Sequence, residues 1–186
     1  MTESFDENGV LNKVEFNYPD NFNFAFDVVD EIAKKSPDKL AMLWLSGDQT
    51  KEHRFTFKDI AEASKRAANY FVSLGIKKGD RVMLILKRHY QFWIIACALQ
   101  RIGAVMIPAP CQLLAHDLVY RFKCAGVKAI ICSPDGNIAE NADEAIKEVP
   151  QVELKIMVNG ARNGWLDFDA SLAHYSNEFA RPTDQK

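Results

Sequence analysis

The spacing of apolar positions changes several times along this chain, and each change marks an element. From Asn23, the positions Phe24, Val28, Ile32 and Ala33 recur at helical spacing. Pro37 closes that helix, because a proline disfavours helical geometry in the residue before it. Leu40–Leu45 is a short apolar run, followed by the turn Ser46-Gly47-Asp48 and a second strand around Arg54-Phe55. Together these predict a strand pair. Residues 1–20 mix acids, asparagines and a proline without periodicity, so 1–22 reads as a surface-running arm ahead of a folded unit at 23–186.

The clearest unit comes next. Thr56 and Asp59 have the spacing of a capping box, in which each side chain satisfies a free N–H at a helix start. Ile60, Ala63, Ala67, Phe71 and Leu74 then form one apolar stripe, and Gly75 suits the left-handed position after a helix, with Ile76 placed to pack back on the last turn. Arg81–Leu86 does not alternate, the mark of a central strand covered on both faces. A helix from about Tyr90 to Ile102 is apolar nearly all round and stops at Gly103, which assigns Phe92 and Trp93 to the core. Ala104–Ile107 is another buried strand, stopped by Pro108 and Pro110. Helices near 116–125 and 138–149 alternate with strands at Lys128–Cys132 and Val152–Val158. This alternation predicts an α/β fold, a mostly parallel doubly wound sheet flanked by helices, with Arg81–Leu86, Ala104–Ile107 and Lys128–Cys132 as adjacent strands.

Composition narrows the function classes. The 186 residues carry 23 Lys+Arg against 25 Asp+Glu, and no basic cluster marks a nucleic-acid face. No stretch reaches the roughly 20 apolar residues needed to span a bilayer. The acidic N-terminus has neither a basic start nor an apolar core segment, so neither a secretory signal nor a transit peptide is expected. Cys97, Cys111, Cys124 and Cys132 form no CxxC pair and read as small apolar residues in a reducing compartment, with a cytoplasmic location expected.

A doubly wound sheet makes a nucleotide the first ligand to consider, yet the glycine-rich phosphate loops are absent. Gly-x-Gly-x-x-Gly and Gly-x-x-x-x-Gly-Lys-Ser/Thr occur nowhere, and the strand at 81–86 runs into Lys87-Arg88-His89-Tyr90. Gly-x-Ser-x-Gly is also absent. Cys111 with His116 is a conceivable metal pair, against packing or solvent contact; Asp167 with Asp169 is a conceivable carboxylate pair, against a helix start with acids at the positive end of the dipole.

Three segments carry a resemblance. Phe55-Thr-Phe-Lys-Asp-Ile60, then Leu74-Gly-Ile-Lys-Lys-Gly-Asp-Arg-Val82, then Leu99-Gln-Arg-Ile-Gly-Ala-Val-Met-Ile-Pro108 stand in order. In order and spacing they resemble the N-terminal part of the adenylate-forming (AMP-binding) acyl-CoA synthetases over roughly 24–180. Pro110–Arg121 and Asn163–Phe168 look like the medium-chain branch. The resemblance implies a ligase that converts a short- to medium-chain fatty acid, ATP and coenzyme A, with Mg2+, into acyl-CoA, AMP and pyrophosphate through an acyl-adenylate.

The same resemblance implies that the phosphate-gripping loop, the magnesium ligand and the catalytic lysine follow the position of Lys186. These residues are thus expected to be an N-terminal lobe that is inactive alone and binds none of those cofactors tightly. By the same match, Gln112 sits beside coenzyme A, with a loop glutamine bonded to local backbone as the alternative. Lys87 and Arg88 follow the carboxyl end of a strand and are phosphate candidates, with a solvated loop pair as the alternative. The carboxylic acid, ATP and coenzyme A are the expected partners, no nucleic acid or membrane span is expected, and an oligomer is left open. The rival class is a non-catalytic flavodoxin-like or receiver-like regulatory or interaction domain.

Overall fold

The computed structural model describes residues 2–183. The chain opens with an exposed antiparallel hairpin, β1 (Thr2–Phe5) against β2 (Leu11–Glu15). The segment read as an arm without periodicity is therefore regular. Its sequence hides this because both faces of the hairpin meet solvent, and no alternation is needed. A helical segment follows, π-wound over Ala25–Asp30 and continuing as α1 (Glu31–Lys35). Asn23 and Asp27 start it, with the Asn23 N–H donating to Asp27 Oδ2 at 2.7 Å and Asn23 Oδ1 accepting from the Ala25 N–H at 3.1 Å.

β3 (Leu40–Leu45) pairs antiparallel with β4 (Glu52–Thr56), as the two apolar runs predicted. α2 (Phe57–Ser73) then begins at the capping box: Thr56 Oγ1 accepts from the Asp59 N–H at 3.1 Å, and Asp59 Oδ2 accepts from the Thr56 N–H at 2.8 Å. At its far end Gly75 takes φ +80°, the Gly75 N–H donates to the Val72 carbonyl and the Ile76 N–H to Phe71, closing the helix with Ile76 buried.

The remaining elements are β5 (Arg81–Ile85), α3 (Gln91–Ile102), β6 (Val105–Pro108), α4 (Ala115–Ala125), β7 (Val127–Cys132), α5 (Ile138–Glu148), β8 (Leu154–Met157), β9 (Leu166–Asp167) and α6 (Phe168–Leu172). The five strands β6-β5-β7-β8-β9 form one sheet in that order, and every pairing is parallel. The three strands expected to be neighbours are neighbours. β5 is central to them and its residues 82–85 are at most 1% exposed, which explains the missing alternation. Val82 and Leu84 face α2, α3 and the first helix, whereas Met83 and Ile85 face α4 and α5. Gly126, after α4, has φ +58°, and a Cβ there would meet Arg81 Nη2 at 2.7 Å. The carbonyls of Ala125 and Gly126 accept from Arg81 Nε and Nη2, tying the end of α4 to the start of β5.

One expectation about α3 fails. Trp93 is 58% exposed, whereas Phe92 is half-buried and packs against the core as expected. Trp93 and Gln100 are seven residues apart, on the single narrow stripe of α3 that the neighbouring helices leave open. Gln100 is the polar residue of that stripe, but Gln91 and Arg101 on the same helix are polar and buried, so polarity alone does not pick the stripe out. Trp93 lies instead over a shallow apolar cleft of about 370 Å³ with Phe24, Met42 and Phe57.

The same helix carries a buried charge. Arg101 has no solvent exposure; its Nη1 and Nη2 donate to the two carboxylate oxygens of Asp30 at 2.8 and 2.7 Å, and its Nε donates to Ser64 Oγ at 3.1 Å. The guanidinium also lies 4.9 Å from the Phe26 ring centroid. Farther along, the chain after α6 is strapped onto α2 and the first helix: Arg66 Nη1 donates to the Tyr175 carbonyl, Asn69 Nδ2 to those of Ser176 and Glu178, and Arg181 Nη1 to Asp27 Oδ1.

Candidate functional site

The chain leaves β5 through α3 on one face of the sheet to reach β6, and returns through α4 on the other face to reach β7. The crossover reverses between β5 and β7, and in open parallel sheets ligands sit in the crevice at the carboxyl ends of two such strands. Here the crevice is built from the loops 86–90 and 133–137, and the β3–β4 hairpin closes one side of it.

A carboxylate pins the two loops together. His89 Nε2 donates to Asp135 Oδ2 at 2.6 Å, and Ser133 Oγ donates to the same oxygen at 2.7 Å. Burial alone would raise the Asp135 pKa, but these two hydrogen bonds and the charges of His89 and Lys87 outweigh it, and the group titrates below its ordinary value of 3.8. Asp135 is therefore a carboxylate at neutral pH, acting as acceptor to both donors. Trp44 Nε1, from β3, donates to the Arg88 carbonyl at 2.5 Å and fixes the hairpin against the loop after β5.

The sequence candidates separate in space. Lys87 and Arg88 are exposed and line a cleft of about 280 Å³ with Trp44, Gly47, His89 and Asp135. Gln112 is exposed in the turn after β6 and does not line that cleft. It belongs to the same edge of the sheet, since the Ala109 N–H donates to the Leu84 carbonyl and starts the turn beside the end of β5.

The carboxylate-pair reading does not hold. Asp167 caps α6, accepting from the Ala170 N–H at 2.9 Å, whereas Asp169 accepts from Gln91 Nε2 at 2.9 Å and from the Asn159 N–H at 2.6 Å. Each carboxylate has its own structural partners, so the helix-start reading applies to Asp167. His116 is exposed beside Asp117. Among the described residues no group of three or more His, Cys, Asp or Glu is placed to hold a metal ion. Burial pushes the Cys97 thiol up to about 11 and the Cys132 thiol up to about 12, so neither is a nucleophile at neutral pH. Cys97 and Cys132 are buried, as the reading of cysteines as small apolar residues expects, whereas Cys111 is half-buried and Cys124 is exposed.

The His89–Asp135 pair was missed in the sequence. A signal existed, because both residues directly follow strands that the pattern places side by side. Pairing the loops at the carboxyl ends of adjacent strands would have brought them together.

An all-parallel sheet in the order β6-β5-β7-β8-β9 with helices on both faces defines an open α/β lobe, and comparison with known proteins gives its family. The family model described as AMP-binding enzyme matches residues 29–185, and the chain belongs to that family. It is similar to acyl-coenzyme A synthetase ACSM4, mitochondrial, of Rattus norvegicus, 33% identical over 182 residues, covering 94% of this chain and 31% of that protein. It is also similar to acyl-coenzyme A synthetase ACSM5, mitochondrial, of Mus musculus, 36% identical over 167 residues, covering 86% and 28%. Acyl-coenzyme A synthetase ACSM1, mitochondrial, of Homo sapiens is 30% identical over 182 residues, covering 94% and 31%. The chain thus spans less than a third of the length of these relatives. No helix among the described residues is long and apolar enough to cross a membrane.

Proposed function

We propose that residues 23–186 are the N-terminal lobe of an ATP-dependent acyl-CoA synthetase. The observation that carries this is the unbroken family match over 29–185, together with relatives named acyl-coenzyme A synthetases. In the intact enzyme a carboxylate oxygen would attack the α-phosphorus of ATP and pyrophosphate would leave. The coenzyme A thiol would then attack the acyl carbon of the adenylate and AMP would leave. The lobe supplies scaffold and one wall of the coenzyme A path, with Gln112 beside the thiol arm and Lys87 and Arg88 toward phosphate. Magnesium and the triphosphate grip are assigned to residues other than these. Short- and medium-chain fatty acids are the proposed substrates.

A cytoplasmic location is kept as the reading of the sequence, and the mitochondrial names of the relatives supply the alternative; fractionation of cells expressing the full-length protein separates them. One observation favours the non-catalytic reading: the strand order β6-β5-β7-β8-β9 is also that of flavodoxin-like domains. The test is pyrophosphate release and acyl-CoA formation by the full-length protein across acids of increasing chain length. Saturable turnover supports the ligase, and its absence with a folded protein supports the interaction domain.

A further inference from the structure

Four elements build the apolar cleft under Trp93. Phe24 comes from the start of the first helix, Met42 from β3, Phe57 and Ile60 from α2, and Trp93 and Cys97 from α3. The spacings of three and four residues put both side chains of each helix on one wall. Every lining residue is apolar or a thiol, and burial pushes the Cys97 thiol up to about 11, so the walls are uncharged at neutral pH. The cleft shares no residue with the one lined by Lys87, Arg88 and Asp135.

Three observations set this cleft apart from ordinary surface. Trp93 is 58% exposed and Phe24 48%, so two large aromatic side chains face water across one depression instead of being scattered singly. The first helix is π-wound over Ala25–Asp30 where it borders the cleft, a rare geometry that recurs at functional sites. A cation stands at the rim. Lys39 Nζ lies 5.9 Å from the centroid of the Phe57 ring, and the Lys39 carbonyl accepts from the Phe57 N–H at 3.0 Å, which fixes this residue beside the cleft. Among the described residues the Lys39 ammonium group forms no ion pair.

We infer that this cleft binds a medium-chain aliphatic carboxylate, with the chain along Phe24, Met42, Phe57 and Trp93 and the carboxylate toward Lys39. Uncharged walls beside a cation match an anionic amphiphile. The volume of about 370 Å³ is at the lower end of the range of about 300–1,000 Å³ for small-molecule sites, which suits one short chain. An anionic bilayer is read by clusters of several cations, whereas one lysine matches one carboxylate. Because the cleft is shallow and Lys39 is exposed, binding is weak, and the chain contributes more than the head group. The inference does not rest on the ligase reading.

The test is an NMR titration of the 186-residue chain with decanoate below its micelle concentration, following the Trp93 indole N–H and the Met42 methyl group. Both signals are expected to shift saturably while the indole of the buried Trp165 stays fixed. From hexanoate to decanoate, affinity is expected to rise with each methylene, by up to about fourfold for a fully buried one. Lys39→Ala is expected to weaken decanoate about threefold and leave decanol unchanged. Trp93→Ala, at an exposed position, is expected to weaken both about tenfold, read at Met42, without lowering the thermal midpoint. Equal affinity for decanoate and decanol, no effect of Lys39→Ala, or equal shifts at the exposed Phe5 and Leu11 of the hairpin would overturn the inference. Three results would assign the cleft to another occupant and overturn it too. These are Trp93 shifts that track protein concentration and dimer formation without acid, Trp93 shifts with phosphatidylglycerol vesicles but not with decanoate, and a Trp93 that does not respond to decanoate in the full-length protein. Acyl-CoA formation is not a readout, so the ligase reading stands or falls separately.

Discussion

Arg101 and Asp30, 71 positions apart, meet in a two-pronged ion pair at 2.7 and 2.8 Å with the guanidinium fully removed from solvent. The pair locks α3 to the first helix, and Lys65 of α2 approaches the same carboxylate at 3.8 Å. Taking a guanidinium out of water is costly unless its partner stays in place.

Asp30→Asn and Arg101→Leu are therefore expected to lower stability, by about 3–5 kcal/mol when one partner is left buried and unpaired. Asp30→Asn strands the guanidinium, whereas Arg101→Leu leaves Asp30 with Lys65 and is the milder change. Urea denaturation measures both; a loss below about 1 kcal/mol for Asp30→Asn would show that the pair contributes little.

Leu84 is 1% exposed on the central strand β5, packed toward α2 and α3. Leu84→Ala is expected to cost about 2–5 kcal/mol, transfer and cavity terms together. The same measurement on Leu166→Ala in the edge strand β9, where the side chain is 39% exposed, is expected to show a much smaller loss.

Acid stability is expected to depend on Asp143. It accepts from Lys155 Nζ at 2.8 Å, from Arg162 Nη2 at 2.9 Å and from Trp165 Nε1 at 3.1 Å, joining α5 to β8 and the turn before β9. Burial alone would raise its pKa, but the bonds from Lys155 and Arg162 prevail and hold it below 3.8. The unfolded chain then binds this proton more readily than the folded one. The contribution to stability is complete above the unfolded pKa and is lost as pH falls through the lower folded pKa. Thermal melts of the native protein should fall steeply below about pH 4, and those of Asp143→Asn should fall less steeply there while starting from a lower midpoint at pH 7. Parallel curves would assign the acid transition to other carboxylates such as Asp80, whose pKa is likewise lowered.

Gln112 is expected to act on thioester formation more than on adenylation. It stands exposed in the turn after β6, where truncation removes no buried contact. In full-length Gln112→Ala, pyrophosphate release with a medium-chain acid should remain near the native rate while acyl-CoA formation falls about tenfold or more. Equal losses in both steps, or none in either, reject the role.

The 186-residue chain alone is expected to release no pyrophosphate above background from ATP, Mg2+ and short- or medium-chain acids. In-line attack on ATP needs donors and a metal around the triphosphate, and the described residues hold no metal-ligand cluster. Turnover by the purified chain would place the adenylation chemistry within it.

Much of the architecture was legible because the forces that set it are local. The Thr56–Asp59 box and the Gly75–Ile76 closure are settled by groups within a few residues of one another, and the sequence carries both partners. β5 was recognisable because burial on both faces demands apolar residues at every position. Adjacency of β6, β5 and β7 followed from short strands joined by helices. Three things were decided only in the tertiary structure. The hairpin β1–β2 meets solvent on both faces and leaves no hydrophobic period. The exposure of Trp93 depends on how α3 is rotated against its neighbours, which its polar positions do not encode because Gln91 and Arg101 are buried with the apolar residues. The ion pair of Arg101 with Asp30 joins residues 71 positions apart. Nothing in the local sequence names such partners, because the free energy of each contact arises only after packing has removed water from between the two groups.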